Sequence, residues 1–223
     1  MFMKKQFLIV GLGRFGSSLT RTLVANGHEV LAVDRDAELV QDVAPYATHA
    51  IQADCTDEAV LKELGASNFT HAVVAIGDDL QSSILTTLLL KEMKIPTVIA
   101  KARDEMHGNV LRKIGADKII YPERDMAMRL ANQLSSSSII DYIELSDEYN
   151  IVEMLAPPAM YGLSLQKLNI RARFGCTILA IKTDKKMNVA PSAEDTIETG
   201  NALLLIGSLE QIRQLETHYD RKR

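Results

Sequence analysis

Phe7-Leu-Ile-Val10 runs directly into Gly11-Leu-Gly13-Arg-Phe-Gly16, and the reading of these ten residues decides the fold. A short run of strand formers meets G-x-G-x-x-G, and Phe15, Leu19 and Leu23 then recur every fourth position, as on the buried face of a helix. The stretch therefore predicts a strand, a glycine turn and a helix start. Each glycine has a separate task. Gly11 permits the tight turn, Gly13 carries no Cβ to hold a diphosphate away, and Gly16 lets the helix lie against the strand. The free N–H groups and positive dipole end of that helix then face the phosphates. Downstream, Asn26-Gly27 stops the helix, Glu29-Val-Leu-Ala-Val33 forms a second strand, and Asp34 stands at its end, where an acid accepts hydrogen bonds from an adenosine ribose. A plain glycine turn with an ordinary capping aspartate is the competing interpretation.

The β-α rhythm continues. Asp36 caps a helix reaching Ala44, Thr48–Gln52 reads as a third strand, and Asp54–Glu58 supplies polar caps for a helix stopped by Gly65. His71–Ile76 is a continuous apolar run of the kind buried on both faces of a parallel sheet, and Gly77-Asp-Asp opens a long helix to Met93. Thr97–Ala100, a helix over Glu105–Ile114, and Lys118–Tyr121 complete the unit, with Pro122 at the next helix start. The expected fold class is α/β: a doubly wound parallel, Rossmann-like sheet, followed by a second, smaller α+β domain. In such a sheet ligands lie beyond the carboxyl ends of the strands. That surface would collect Gly11, Gly13, Arg14, Asp34, Arg35, Asp54, Ile76, Gly77 and Lys101. Arg35 and Lys101 read equally well as solvated loop charges, and Asp54 as a helix cap.

Beyond the four serines 135–138 the pattern changes, which places a hinge between Ser135 and Ser146 and the domains at 1–138 and 139–223. Ile139–Ile143 reads as a short helical or connecting segment, Tyr149–Leu155 as a strand, Ser164–Phe174 as one helix ended by Gly175, and Thr177–Ile181, Met187–Ala190 and Ala202–Ile206 as strands. A turn at Asp184-Lys-Lys, a last helix over Leu209–Tyr219 and a frayed basic end at 221–223 complete the chain.

Composition narrows the function. The formal net charge of −4 gives no electrostatic reason to bind nucleic acid. Cys55 and Cys176 lack zinc spacing and read as reduced thiols. The lysines near the amino end run straight into the first strand, so a cleavable signal is not expected, and the most apolar helix is interrupted by Thr86 and Thr87.

Several stretches together carry a family resemblance: Ile9–Gly16, Val74–Gly77, Ser83–Lys91, Lys113–Asp117, Tyr121–Asp125 and Cys176–Lys182. In this order and spacing the chain resembles the cytosolic gating subunits of bacterial Ktr/Trk potassium-uptake systems, built from RCK domains. The resemblance implies a regulator, not an enzyme. Its first domain would bind ATP or ADP, and also NAD(H), as homodimers in an octameric ring docked on an integral-membrane potassium-translocating subunit at the cytoplasmic face. It assigns Gly11, Gly13, Arg14 and Phe15 to the diphosphate, Asp34 and Arg35 to the ribose, Asp54 to the adenine edge, Ile76 and Gly77 to its plane, and Lys101 to a phosphate. Arg14 would also reach a phosphate bound in the neighbouring subunit. Glu123 would hold a cation, Mg2+, Ca2+ or Na+, near the phosphates at the dimer interface. On sequence logic alone it is a first-turn carboxylate. The second module resembles those that bind cyclic di-AMP, with Ile170, Arg171, Thr177 and Pro191 at the pocket. Arg171 and Arg173 also read as the exposed face of a helix.

The rivals are an NAD-dependent oxidoreductase and an NADH-sensing, DNA-binding regulator. The first needs a proton-transfer group opposite the nicotinamide, and His71, His107 and His218 are poorly placed for it. The second needs a helix-turn-helix and a basic face. The sequence supplies neither.

Overall fold

A computed structural model describes residues 4–135, 138–146, 148–184 and 186–220. The basic end at 221–223, residues 136–137 at the start of the expected hinge and Lys185 of the expected turn lie outside the described residues. Two compact units divide the chain at Glu123/Arg124.

The first unit runs β1 (Gln6–Val10), α1 (Arg14–Ala25), β2 (Glu29–Asp34), α2 (Ala37–Val43), β3 (His49–Gln52), α3 (Glu58–Glu63), β4 (His71–Val74), α4 (Leu80–Glu92), β5 (Thr97–Lys101), α5 (Glu105–Lys113) and β6 (Lys118–Ile120). The strands are all parallel, in the order β3-β2-β1-β4-β5-β6. The doubly wound sheet expected from the β-α rhythm is therefore present. Side chains alternate across it because the strand period is two. Leu8 and Val10 pack with Leu61 of α3, Leu90 of α4 and Leu111 of α5 on one face. Ile9 packs with Phe15, Leu19 and Leu23 of α1 and Leu39 of α2 on the other. Thr86 and Thr87, which interrupt the apolar run of α4, are buried but satisfied: their hydroxyls donate to the carbonyls of Cys55 (3.3 Å) and Ser83 (2.7 Å). Strand order reverses between β1 and β4, which opens a crevice at their carboxyl ends.

The division between the units falls inside α6 (Pro122–Leu134), upstream of the 138/139 boundary read from the sequence. Most of that helix is drawn to the strand on its carboxyl side. Arg129 on α6 grips the Asp141 carboxylate through Nε (3.0 Å) and Nη2 (2.6 and 2.7 Å), and Gln133 Nε2 donates to the Ile140 carbonyl at 2.8 Å. Asp141 belongs to β7 (Ile139–Glu144), which corrects the expectation of a helical or connecting segment there. Pairing with β8 (Asn150–Leu155) decides the conformation, and the β-branched residues of β7 suit it.

A second correction concerns the helix expected over 164–174. It is broken into α7 (Leu165–Leu168) and α8 (Ile170–Phe174) by Asn169, which sits in the left-handed region at φ 46°. Asparagine tolerates that conformation better than most residues, so helical periodicity alone conceals the break. β9 (Thr177–Lys182), β10 (Met187–Val189), β11 (Ala202–Gly207) and α9 (Leu209–Asp220) complete the described chain. The antiparallel sheet, ordered β10-β9-β11-β8-β7, packs Val152, Met154, Leu203 and Leu205 against Ile212 and Leu215 of α9.

Candidate functional site

The crevice at the switch point has a volume of about 260 Å3, and Gly11, Gly13, Asp34, Arg35, Asp54, Ile76 and Gly77 all line it. The glycines hold it open for separable reasons. Gly11 has φ +95°, and a Cβ there would lie 2.9 Å from the backbone of Ala75 and Ile76. A Cβ on Gly16 would collide with the Gly11 carbonyl, so this glycine lets α1 lie on β1. Gly13 is different: its φ is −60°, and a Cβ would meet nothing within 4 Å. No protein atom requires a glycine at that position.

The helix caps sharpen the point. In the first unit α2, α3, α4 and α5 are capped by Asp36, Asp57, Asp79 and Asp104, each accepting a backbone N–H in the first turn. At α1 the capping position is Gly13, with no side-chain cap and no acid in the first turn. Ser17 N–H makes an intrahelical bond to Gly13 O at 2.9 Å, leaving the N–H groups of Arg14, Phe15 and Gly16 ahead of it without an i−4 carbonyl. An anion at that end would accept from first-turn donors of the kind that α2, α3, α4 and α5 each offer to a capping aspartate.

Arg14 and Phe15 do not line the crevice itself. Arg14 is exposed on the first turn of α1, whereas the Phe15 side chain packs into the core, so only its backbone N–H is available at the helix end. Asp34 accepts from Leu12 N–H (2.6 Å) and Asp36 N–H (2.9 Å), bracing the glycine turn against the end of β2. A carboxylate has about four lone-pair sites, so acceptor capacity remains for a ligand hydroxyl. Asp54 does not cap α3. It accepts from the N–H (2.9 Å) and hydroxyl (2.7 Å) of Thr56, which hold its carboxyl below the usual range.

Lys101 stands behind Gly77, its Nζ 3.1 Å from where a Cβ on that glycine would be. Its ammonium is bound to Glu123 Oε1 at 2.7 Å, and this bond lowers the Glu123 pKa. The two residues assigned by resemblance to phosphate and cation are thus paired with each other. Among the described residues no group of three His, Cys, Asp or Glu side chains could hold a metal ion.

Asp36, Thr56, Asp78, Asp79 and Ser82 also line the crevice and were missed as site residues. Asp78 and Asp79 were visible as the opening of α4, but capping does not reveal which side of a loop a carboxylate occupies. Cys55 lies at the crevice as well. Burial, with Asp54 and Asp34 nearby, pushes its thiol up to about 12, and burial pushes Cys176 up to about 11. Both therefore remain protonated at neutral pH. A thiol-specific reagent should label neither cysteine in the folded protein and both in denaturant. Labelling of folded protein at the rate of a free thiol would contradict this.

The histidines are remote from the crevice lining. His71 opens β4, at the opposite end of the strand, with its ring 5.1 Å from that of Phe7, and His107 is buried on α5 with Nδ1 accepting from Arg103 N–H. In the second unit Ile170 is buried in the core, Arg171 is exposed, Thr177 begins β9, and Pro191 lies just past β10. None of the four lines the groove of about 950 Å3 between α8 and α9, where Arg173, Phe174, Arg213 and His218 lie.

By fold the protein is a two-part RCK chain. It matches the solved GsuK RCK domain with a TM-score of 0.66 at 20% identity, over 97% of this chain and 48% of that one. It matches the GsuK channel with a TM-score of 0.69 at 19% identity, over 97% of this chain and 40% of the other, so it spans about half or less of those chains. The TrkA-N domain family matches residues 7–122 and the TrkA-C domain family residues 151–218. Ktr system potassium uptake protein C of Bacillus subtilis is 47% identical over 214 residues, 96% of this chain and 97% of that protein. Protein A of the same organism is 49% identical over 212 residues, 95% of this chain and 96% of that one. The chain belongs to the Ktr/TrkA family of potassium-uptake proteins.

Proposed function

We propose that this protein is the nucleotide-sensing regulatory subunit of a Ktr-type potassium-uptake system. The observation that carries the reading is the amino end of α1, left without a side-chain cap beside a glycine whose missing Cβ faces open space. An adenine nucleotide would set its diphosphate there, its ribose on Asp34, and its base between Asp54 and the Ile76-Gly77 turn. Arg14 and Lys101 would supply cationic contacts to the phosphates, and Lys101 would exchange Glu123 for a phosphate. Glu123 would then be free to help hold Mg2+, Ca2+ or Na+. ATP, ADP and NAD(H) share the adenosine end, so only the groups beyond the adenosine can favour one state of the protein over another. A differential affinity of about 2 kcal/mol per site, summed over several sites, would switch an assembly almost completely.

The assembly proposed is a ring of eight subunits built from homodimers, docked at the cytoplasmic face on an integral-membrane potassium-translocating partner. Self-association is supported by α6, whose Met126, Leu130 and Leu134 recur every fourth residue at 60%, 50% and 78% exposure. The 1–138 and 139–223 domains would carry separate ligands, with cyclic di-AMP at Ile170, Arg171, Thr177 and Pro191 of the second.

Calorimetric titration with ATP, ADP, NADH and cyclic di-AMP tests the reading. Arg14→Ala should weaken ATP and spare cyclic di-AMP, and Arg171→Ala should do the reverse. Failure of every adenine nucleotide to bind would reject it, as would steady NADH consumption with a small-molecule substrate.

A further inference from the structure

We infer that Asp79, acting through Arg35, makes the crevice select a ribose with a free 2′-hydroxyl over one carrying a 2′-phosphate; this rests on the nucleotide reading above. The sequence leaves the choice open. An acid at the end of the second strand favours a 2′-hydroxyl, while an arginine beside it is the usual partner of a 2′-phosphate. The structure shows how that arginine is occupied. Arg35 Nη1 lies 3.1 Å from Asp79 Oδ2, across the crevice from the end of β2 to the cap of α4. The Arg35 carbonyl accepts from Gln52 Nε2 at 3.1 Å, which ties its backbone to β3.

Asp79 cannot easily turn away. Its Oδ1 accepts from Ser82 N–H (3.0 Å) and its Oδ2 from the Ser82 hydroxyl (2.7 Å). These bonds, with Arg35 nearby, hold the carboxyl below its usual range, so it is ionised at neutral pH. Three of the other crevice acids are also held by hydrogen bonds. Asp34 accepts two backbone N–H groups, Asp36 accepts from Glu38 N–H, and Asp54 accepts from Thr56. Among the described residues lining the crevice, Asp34, Asp36, Asp54, Asp78 and Asp79 face a single cation, Arg35.

A 2′-phosphate would therefore bring about two negative charges toward pinned carboxylates, and would have to take Arg35 from Asp79 to find a counter-ion. A 2′-hydroxyl needs only an acceptor, and Asp34 keeps acceptor capacity beyond its two backbone bonds. Asp79 is a positioning residue in this arrangement: it consumes the charge that would otherwise pay for the phosphate.

The experiment compares NAD and NADP, which differ only in the 2′-phosphate, by calorimetry on the full chain, with ADP as an independent ligand. The unmodified protein should prefer NAD. Asp79→Asn keeps an N-capping side chain, so α4 retains its first turn, while Arg35 is released. The ratio of NADP to NAD affinity should then rise roughly tenfold, as expected for removing one charge near a dianion. Adding Arg35→Gln to Asp79→Asn should cancel most of that rise, which a merely structural role for Asp79 would not produce. The preference of the unmodified protein should also shrink as salt is added. Normal binding of ADP and NAD with an unmoved ratio in Asp79→Asn would overturn the inference alone. Absence of ADP and NAD binding in the unmodified protein would overturn the nucleotide reading and the inference with it.

Discussion

Gly13→Asp should raise stability and sharply weaken nucleotide binding, while Gly16→Ala, three residues on, should strongly destabilise the first unit. Position 13 is the capping residue of α1, its φ of −60° is open to any amino acid, and a Cβ there meets nothing within 4 Å. An aspartate would supply the cap that α2, α3, α4 and α5 have, worth about 1 kcal/mol, or roughly 2–4 °C in melting temperature for a chain of this size. The same carboxylate would occupy the phosphate position, so ADP affinity should fall by about 100-fold or more, equivalent to roughly 3 kcal/mol. At Gly16 the new Cβ collides with the Gly11 carbonyl, which is backbone and cannot turn aside. A loss of about 3 kcal/mol or more is expected, as for severe overpacking. Thermal melting and ADP titration of the two variants read both effects. A Gly13→Asp protein that bound ADP normally would show that the helix end is not the phosphate site.

Asp34→Ala should damage folding and binding together. The carboxylate is the acceptor for Leu12 N–H and Asp36 N–H, and a charged acceptor of this kind contributes about 1.5–3 kcal/mol per bond when its partner is shielded from water. Leu12 is 1% exposed, so its N–H is poorly placed to recruit water. A loss of about 2 kcal/mol in urea unfolding is expected, with at least a tenfold loss of ADP affinity from the ribose contact. Asp34→Asn keeps one acceptor but turns an NH2 group toward the second donor, so it should recover only part of the stability. Wild-type unfolding with lost affinity would mean that Asp34 serves the ligand and not the turn.

The Ktr/TrkA membership and the doubly wound sheet were legible in the chain, and so were Gly11, Gly13, Asp34, Arg35, Asp54, Ile76 and Gly77 of the crevice lining, the smaller part of it. A parallel sheet must place successive strand ends on one surface, so Gly11, Asp34, Asp54 and Gly77 could be gathered by counting strands. Counting could not supply the partner of each side chain. Lys101 and Glu123 read as two ligand groups and proved to be bound to each other. Phe15 read as buried face by its period and as a phosphate contact by resemblance; its ring belongs to the core, which leaves only its backbone N–H for a phosphate. In the second unit the gaps were larger, because its elements are short and strand pairing overrides local preference there. β7 exists because β8 is beside it, and Asn169 breaks a helix that periodicity alone would continue.

The sequence by itself determined the order of strands and helices in the first unit and the glycines at their switch point, because hydrophobic period and glycine spacing are local properties of a chain. Only the tertiary structure decided that Asp79 reaches across to Arg35, that α1 lacks the side-chain cap that α2, α3, α4 and α5 have, and that α6 is drawn to Asp141. These facts depend on residues distant in sequence meeting within about 3 Å, or on a side chain being absent where its neighbours have one. No local pattern encodes either.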